Sequence, residues 1–501
     1  MGQEKLVLLN LSQKEKERLE KSFRDLVYFL GECEYKERAF WDSSLLGQNW
    51  IALDNIDYVP SQVINNKVKP LINKQARFML SRPPSLLFNP INTEDKEKTE
   101  ALRQFIDDIF ETDDFWSEAM KAFKLSTIVS KVMMRIEANP DRPIKIHWHG
   151  PNDFKYKLDP TDKNKLSKIV IISQDSATAS LSYDKQLWYR YTYEMKQSVV
   201  NPESNTCYLT TEVFAGSNLG TPIKVATQDT LLDKIPCWVI HNEKDIFNPH
   251  GQSDIKDLRP LQDQLNRKLS DFADSLRFQM FAQDVFIDAT EDSVNSSRIA
   301  PNAIIALKSI DAANGQKATH TKAETSFSSV NPIQYYLQYL DDEMHDKLSI
   351  PKPADLKNVP SGKSMKYLYV ELMARCDEKW IDWEPAIKQL IKLIIDSCIK
   401  FNCYENWDQL WNELDFVIAL KKNYPIPEDE SDKKRLAIEE VTANVRSHRS
   451  YIKEFGDEED IENEIKEICE DLALIAAAQM EQFNIGTEDP NTEDNTNNPE
   501  E

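Results

Sequence analysis

The tetrad Ser361-Gly362-Lys363-Ser364 carries the residue types of a phosphate-cradling loop. In such a loop glycine lets the backbone approach an oxyanion, lysine neutralises it and a serine hydroxyl holds magnesium. The loop also needs an earlier glycine, with four residues between it and the Gly-Lys pair, and a buried strand leading in. That earlier position holds Lys357, and the preceding segment Pro332 to Leu348 reads as helix. The tetrad therefore reads as a loop-to-helix junction, with Ser361 as N-cap and Ser364 in the first turn. His147 and His149 flank Trp148 and share one face of a predicted strand, a spacing that suits a metal. No third ligand stands near them, so they read as a solvated strand face. His241, His250, His320 and His345 pair with no Ser or Cys at a known catalytic spacing. No catalytic, cofactor-binding or metal residue is assigned.

Lys352, Lys357 and Lys363 lie among Pro351, Pro353 and Pro360, giving a stiff basic loop. The rest of the chain does not share that charge. Among 501 residues the net charge is −23, and from Tyr451 onward 17 acidic residues face 2 basic ones. A protein that grips nucleic acid over a wide surface shows a basic excess. Tight, extended DNA binding is therefore disfavoured, while weak contact through a few lysines stays open. The 11 glycines include no Gly-x-Gly, which removes the dinucleotide fingerprint and the kinase glycine loop. Seven scattered cysteines without Cys-x-x-Cys fit a reducing compartment and no zinc site. No apolar run reaches membrane length, and no signal-peptide pattern opens the chain, so a protein without a membrane span, made in a cytoplasm, is expected.

The elements that hold the basic loop are legible as periods. Leu368, Leu372, Cys376, Trp380, Trp383, Ile387, Ile391, Ile394 and Cys398 recur at threes and fours, a long helix with Pro385 as its expected kink. Leu258, Leu261, Leu265, Leu269 and Phe272 stripe an earlier helix capped by Ser253 or Asp254, and Ile333, Leu337 and Leu340 stripe another. The narrow stripe and broad polar face of the earlier helix suit packing against copies of itself or one partner helix, and equally an ordinary helix on a globular core. Between the two helices, strands are expected at Val285–Ile287 and Ala303–Leu307, so the pair forms a helical hairpin with an elaborated end.

Upstream, helices are expected at Leu19–Leu30, at Val59–Leu80 and over residues 95–128. Ser85–Phe88 reads as a short strand. Short β-branched runs between Val129 and His241 make a β-rich insertion. Downstream, Phe416–Lys421 reads as a strand, then helices follow at Lys433–Asn444, His448–Phe455 and Asp457–Gln482. The acidic end from Thr487 is expected to be disordered. The class is α+β, predominantly helical.

Three stretches together resemble the portal proteins of tailed bacteriophages, in particular those of long-tailed phages of Gram-positive hosts. They are Asn65-Asn66-Lys67-Val68-Lys69-Pro70 with Arg82-Pro83-Pro84, Ile235-Pro236-Cys237-Trp238 with Gly251 and Ser253-Asp254-Ile255, and Pro360-Ser361-Gly362-Lys363-Ser364 with Leu368. Ser81 and Arg82 stand where that family commonly has glycine. The resemblance implies a non-enzymatic ring, usually of about twelve copies, at one capsid vertex of the virion, assembled in the host cytoplasm. Double-stranded DNA would pass through it without sequence specificity, in packaging and in ejection. The other implied partners are the terminase, a head-completion or tail connector protein, and major capsid and scaffolding proteins. It implies a wing at residues 1–250, a first stem helix at 251–283, a clip at 284–329 and a second stem helix at 330–348. A tunnel loop at 349–361, a long kinked wing helix with its following strand and helix at 362–447, a crown at 448–483 and an acidic tail at 484–501 complete it. Lys352, Lys357 and Lys363 would face DNA. Another capsid-assembly protein, a scaffold or minor head protein, or a P-loop packaging ATPase remain as alternatives.

Overall fold

The computed structural model describes residues 3–31, 59–140, 142–162, 165–197, 205–280, 283–295, 307–315, 317–323, 331–357, 362–426, 430–443, 445–455 and 461–485. Among the described residues helix outweighs strand, 51% against 22%, in a mixed α+β fold. The chain divides into two units, Met1–Lys357 with Leu368–Pro425, and Asn358–Tyr367 with Ile426–Glu501.

The first unit opens with α1 (Gln3–Leu9) and α2 (Gln13–Leu30). Ser12 and Glu15 form a capping box that satisfies the first amides of α2, and Gly31 ends the helix at φ 77°. Residues 59–67, expected within one helix to Leu80, run outside any helix or strand, and α3 begins only at Val68 (Val68–Leu80). Pro60 opposes a helix there, and other side chains supply the hydrogen bonds that a helix would have made. Next come β1 (Ser85–Pro90), α4 (Lys96–Thr112) and α5 (Phe115–Val129). The helical stretch expected over 95–128 is present as two helices, parted where Asp114 takes φ 48°.

The β-rich insertion forms two antiparallel sheets. One orders β3 (Arg142–His149), β2 (Lys131–Asn139) and β9 (Cys237–His241). The other is a meander of β4 (Phe154–Leu158), β5 (Leu166–Gln174), β6 (Leu187–Gln197), β7 (Asn205–Ala215) and β8 (Lys224–Asp229). Strand β4 was not legible in sequence. Alternation along β5 explains its unbroken apolar run. Ile169 and Ile171 join a core with Met133, Tyr193, Cys207 and Cys237. Ile172 joins the opposite face, with Trp188, Phe214 and Leu8 and Leu9 of α1.

Helix α6 (Ile255–Met280) leads to a small tip containing β10 (Gln283–Ile287), α7 (Glu291–Asn295) and β11 (Thr319–Ala323). The described partner of β10 is β11, antiparallel with Val285 opposite Thr321. The expected strand at 303–307 lies almost wholly outside the described residues. Helix α8 (Asn331–Lys347) returns from the tip, and α9 (Pro353–Leu356) adds one turn inside the expected loop, with Pro353 at its start. The long apolar-striped segment is two helices, α10 (Gly362–Leu368) and α11 (Val370–Phe401), parted at Tyr369, whose ring stacks on Phe78. Helix α11 continues through Pro385 and buries Trp380, Trp383, Ile387, Ile391, Ile394 and Cys398. Trp383 meets Trp148 and Phe123 at ring separations of 5.7 and 5.6 Å. Finally β12 (Phe416–Lys421) pairs antiparallel with β1, closing the unit across more than three hundred residues of sequence.

In the second unit α12 (Glu430–Thr442), α13 (His448–Phe455) and α14 (Ile461–Ile485) pack in succession. Arg446 in the α12–α13 turn pairs with Glu440 and Glu454. The expected disordered tail lies outside the described residues.

Candidate functional site

Helices α6 and α8 lie against each other as a hairpin. Of the residues expected to pack it, Leu258, Leu265 and Leu340 are buried, while Leu261, Leu269, Phe272, Ile333 and Leu337 are half-buried. Burial falls toward the tip. Ile255 and Leu258 at the base are 0% exposed, whereas Tyr335, Tyr336 and Tyr339 on α8 are exposed.

The other face of α6 carries residues 59–67. Backbone amides of Ser61, Val63, Asn65 and Lys67 donate to side chains of Asp274, Ser270, Asn266 and Gln262, at 3.1, 2.9, 3.0 and 2.9 Å. Every second residue of the segment meets every fourth residue of the helix, running in opposite directions. Two extended residues advance about 6.7 Å and four helical residues about 6 Å, so the two ladders stay in step. Gln262 also donates to the Asn65 carbonyl at 2.8 Å. Asn266 and Asp274 of the polar face that suggested a partner helix are thus covered within the chain by this strap, while the side chains of Lys268 and Asp271 stay in solvent.

At the base of α8, Ser349 turns the chain at φ 54°, and Ile350 N bonds back to His345 O at 3.0 Å. Leu348 and Ile350 are buried, which fixes where the following loop leaves the body. The three candidate lysines are not equivalent. Lys352 Nζ donates to Asp346 at 3.1 Å. Slight desolvation pulls its pKa down, but Asp346, with Asp342 and Asp355 nearby, outweighs this and holds it above the usual lysine value. Lys357 is exposed, with no carboxylate at ion-pair distance among the described residues. Lys363 lies in the first turn of α10, in the second unit, and its side chain is outside the described residues. The described segment before the Ser-Gly-Lys-Ser tetrad is α9, a helical turn, not the strand a phosphate loop requires.

The base of the hairpin contains a cluster that sequence reading missed. Asp254, expected as a possible cap, has a fully buried side chain. It accepts from Lys379 and Asn242 through one oxygen, at 2.8 and 2.7 Å, and from Gln75 through the other at 3.1 Å. Arg375 lies 3.3 Å from it, and Glu243 accepts from both Arg375 and Lys379. Desolvation pushes the Asp254 pKa up, but Lys379 and Arg375 outweigh it and hold the carboxyl at about 2. Two anions and two cations thus tie α3, the start of α6 and α11 together. The capping is left to Ser253, whose hydroxyl accepts from Ile255 N at 3.2 Å. The available signal was Lys379 itself, a lysine inside the apolar stripe beside Cys376 and Trp380.

His147 and His149 are half-buried, the His147 side chain still 37% exposed. His147 Nε2 lies 3.0 Å from Glu137 Oε2, an oxygen that Arg135 also reaches. Burial, reinforced by Arg135, holds His149 down at about 4. No group of three metal-ligating side chains occurs among the described residues.

Residues 11–476 match the family model described as phage portal protein, SPP1 Gp6-like. The chain belongs to the phage portal protein family. Against individually curated proteins it has no match. Portal proteins are structural components of the virion capsid, not enzymes. In this portal protein the matched span contains the helical hairpin, the strap and the buried ion cluster in full. No described helix is long and apolar enough to cross a membrane.

Proposed function

We propose that the chain assembles into a ring, of about twelve copies, through which double-stranded DNA enters and leaves the capsid at one vertex. The family match over residues 11–476 carries this reading. The α6–α8 hairpin is the stem, its exposed tyrosines facing neighbouring copies or the channel. The tip with β10 and β11 is the clip, meeting the terminase and later the connector. Residues 349–361 are the tunnel loop, and α13 and α14 the crown. The wing is formed by residues 1–250 and the long helix with Pro385.

A conduit must not hold its cargo, because each phosphate gripped by a cation adds an affinity that has to be broken on every step. The acidic run on α8, Asp341, Asp342, Glu343 and Asp346, suits that requirement, and Asp346 already occupies Lys352. Lys357 is therefore the loop lysine best placed to touch DNA. Negative-stain images of the purified protein are expected to show rings with a central hole, without ATP turnover. Solid, compact particles would count against the reading.

A further inference from the structure

A cleft of about 710 Å³ opens between α2, the start of β2, β4 and the turn at 247–253, far in sequence from the proposed tunnel loop. Lys131, the first residue of β2, lies on its floor. Its ammonium sits 5.3 Å from the ring centre of Tyr156 and 5.6 Å from that of Phe154. Among the described residues no carboxylate lies at ion-pair distance from Lys131, nor from Arg18 and Lys21 on the α2 wall. The two acids lining the cleft are already engaged. Glu15 is 3.2 Å from Lys155 and bonded by Ser12, and Asp25 is 2.8 Å from Arg259.

The other groups facing Lys131 bring no compensating charge. His241 shares a 2.9 Å hydrogen bond with the Tyr156 hydroxyl, and burial, helped by Lys131 and Lys244, holds it neutral at about 3. Burial, with Arg18 and Lys131, pushes His250 down as well. Lys131 itself is pulled down to about 8 by desolvation and by Arg18, against the weaker pull of Glu15. Aromatic faces offset only a small part of a cation's desolvation. A half-buried ammonium, with two further exposed and unpaired cations on the same cleft, is an environment that an incoming anion stabilises.

We propose that this cleft binds a phosphate group, with Lys131 on its floor and Arg18 and Lys21 on its wall. Three unpaired cations match the near-double charge of phosphate better than the single charge of a carboxylate. The volume is within the range of small-ligand sites, so the group can be inorganic phosphate or the head of a small monoester. The proposal stands independently of the ring.

The test is calorimetric titration of the full chain with inorganic phosphate and with glycerol phosphate, at ionic strength matched by sodium chloride. Saturable binding is expected, weakened at least tenfold by Lys131→Met and severalfold by Arg18→Gln, with Lys165→Gln as an unaffected control. Tighter binding of the monoester assigns an organic ligand, and equal binding assigns free phosphate. Thermal unfolding checks the variants. If Lys131→Met does not fold, Arg18→Gln and Lys21→Gln, on exposed positions, carry the test. Sulfate, whose charge is constant, should bind more weakly as pH rises from 7 to 9.5 and Lys131 loses its proton, with a smaller decline in Lys131→Met. No saturable heat beyond that of chloride, or equal affinities in wild type, Lys131→Met and Arg18→Gln, overturns the proposal.

Discussion

Lys379 stands where the apolar stripe of α11 calls for a hydrophobic side chain, and its own is 3% exposed. A charge so placed persists only with its counter-charges beside it. Asp254 and Glu243 provide them, and Asn242 takes the remaining proton at 2.8 Å. Asp254→Asn leaves two cations facing Glu243 alone, and is expected to cost about 3–5 kcal/mol in urea unfolding. The sign of the pH effect follows from the depressed carboxyl. Its contribution is complete above the unfolded value near 3.9 and is lost as pH falls toward about 2. The stability difference between wild type and Asp254→Asn should therefore shrink over that window, and a constant difference would refute the assignment. Gly251 is a second sensitive position. At φ 77°, an added Cβ would stand 2.6 Å from Ser130 O and 2.7 Å from Asn242 O, both backbone. Gly251→Ala should destabilise by more than about 1 kcal/mol, read as a lowered Tm, since neither atom belongs to a movable side chain.

At the scale of elements, what could be read from the sequence follows from the distance over which each signal acts. Helices α2, α6, α8 and α11 announce themselves through apolar residues at threes and fours, and β5 and β6 through β-branched and aromatic runs. Strand β11 is Thr-His-Thr-Lys-Ala, too polar to stand out, and only its pairing with β10 makes it a strand. The strap at 59–67 was misread for the same reason, because its hydrogen-bond partners lie about two hundred residues away on α6. Local periodicity holds no information about them.

The strap makes a pattern that hydrogen exchange can read. Amides of Ser61, Val63, Asn65 and Lys67 should be protected, while those of Gln62, Ile64 and Asn66, which make no hydrogen bond among the described residues, should exchange fast. Uniform protection or uniform exchange would contradict the register. Asn266→Ala removes the acceptor of the Asn65 amide and should cost about 1–3 kcal/mol, with lost protection centred on residue 65.

For the molecule as a whole, the hairpin is held firmly at its base and sparsely at its tip. The ion cluster and the buried Leu348 and Ile350 fix one end and the strap follows α6 as far as Asp274, whereas Tyr335, Tyr336 and Tyr339 on α8 remain exposed. In the second unit Leu472, Leu474 and Ile475 of α14 are exposed as well. Such apolar surfaces on a chain of net charge −23 would be covered by neighbouring copies in the proposed ring. Sequence order identified the family, but the lysines of the proposed tunnel loop looked alike in sequence and are not alike in structure. Lys357→Gln should therefore weaken DNA retention in filled heads more than Lys352→Gln, and equal effects would remove the distinction. The native mass of the purified full-length chain tests the central claim most directly. A single closed assembly near about twelve times 58.0 kDa, stable on dilution, is expected. A monodisperse 58.0 kDa monomer at every concentration would contradict it.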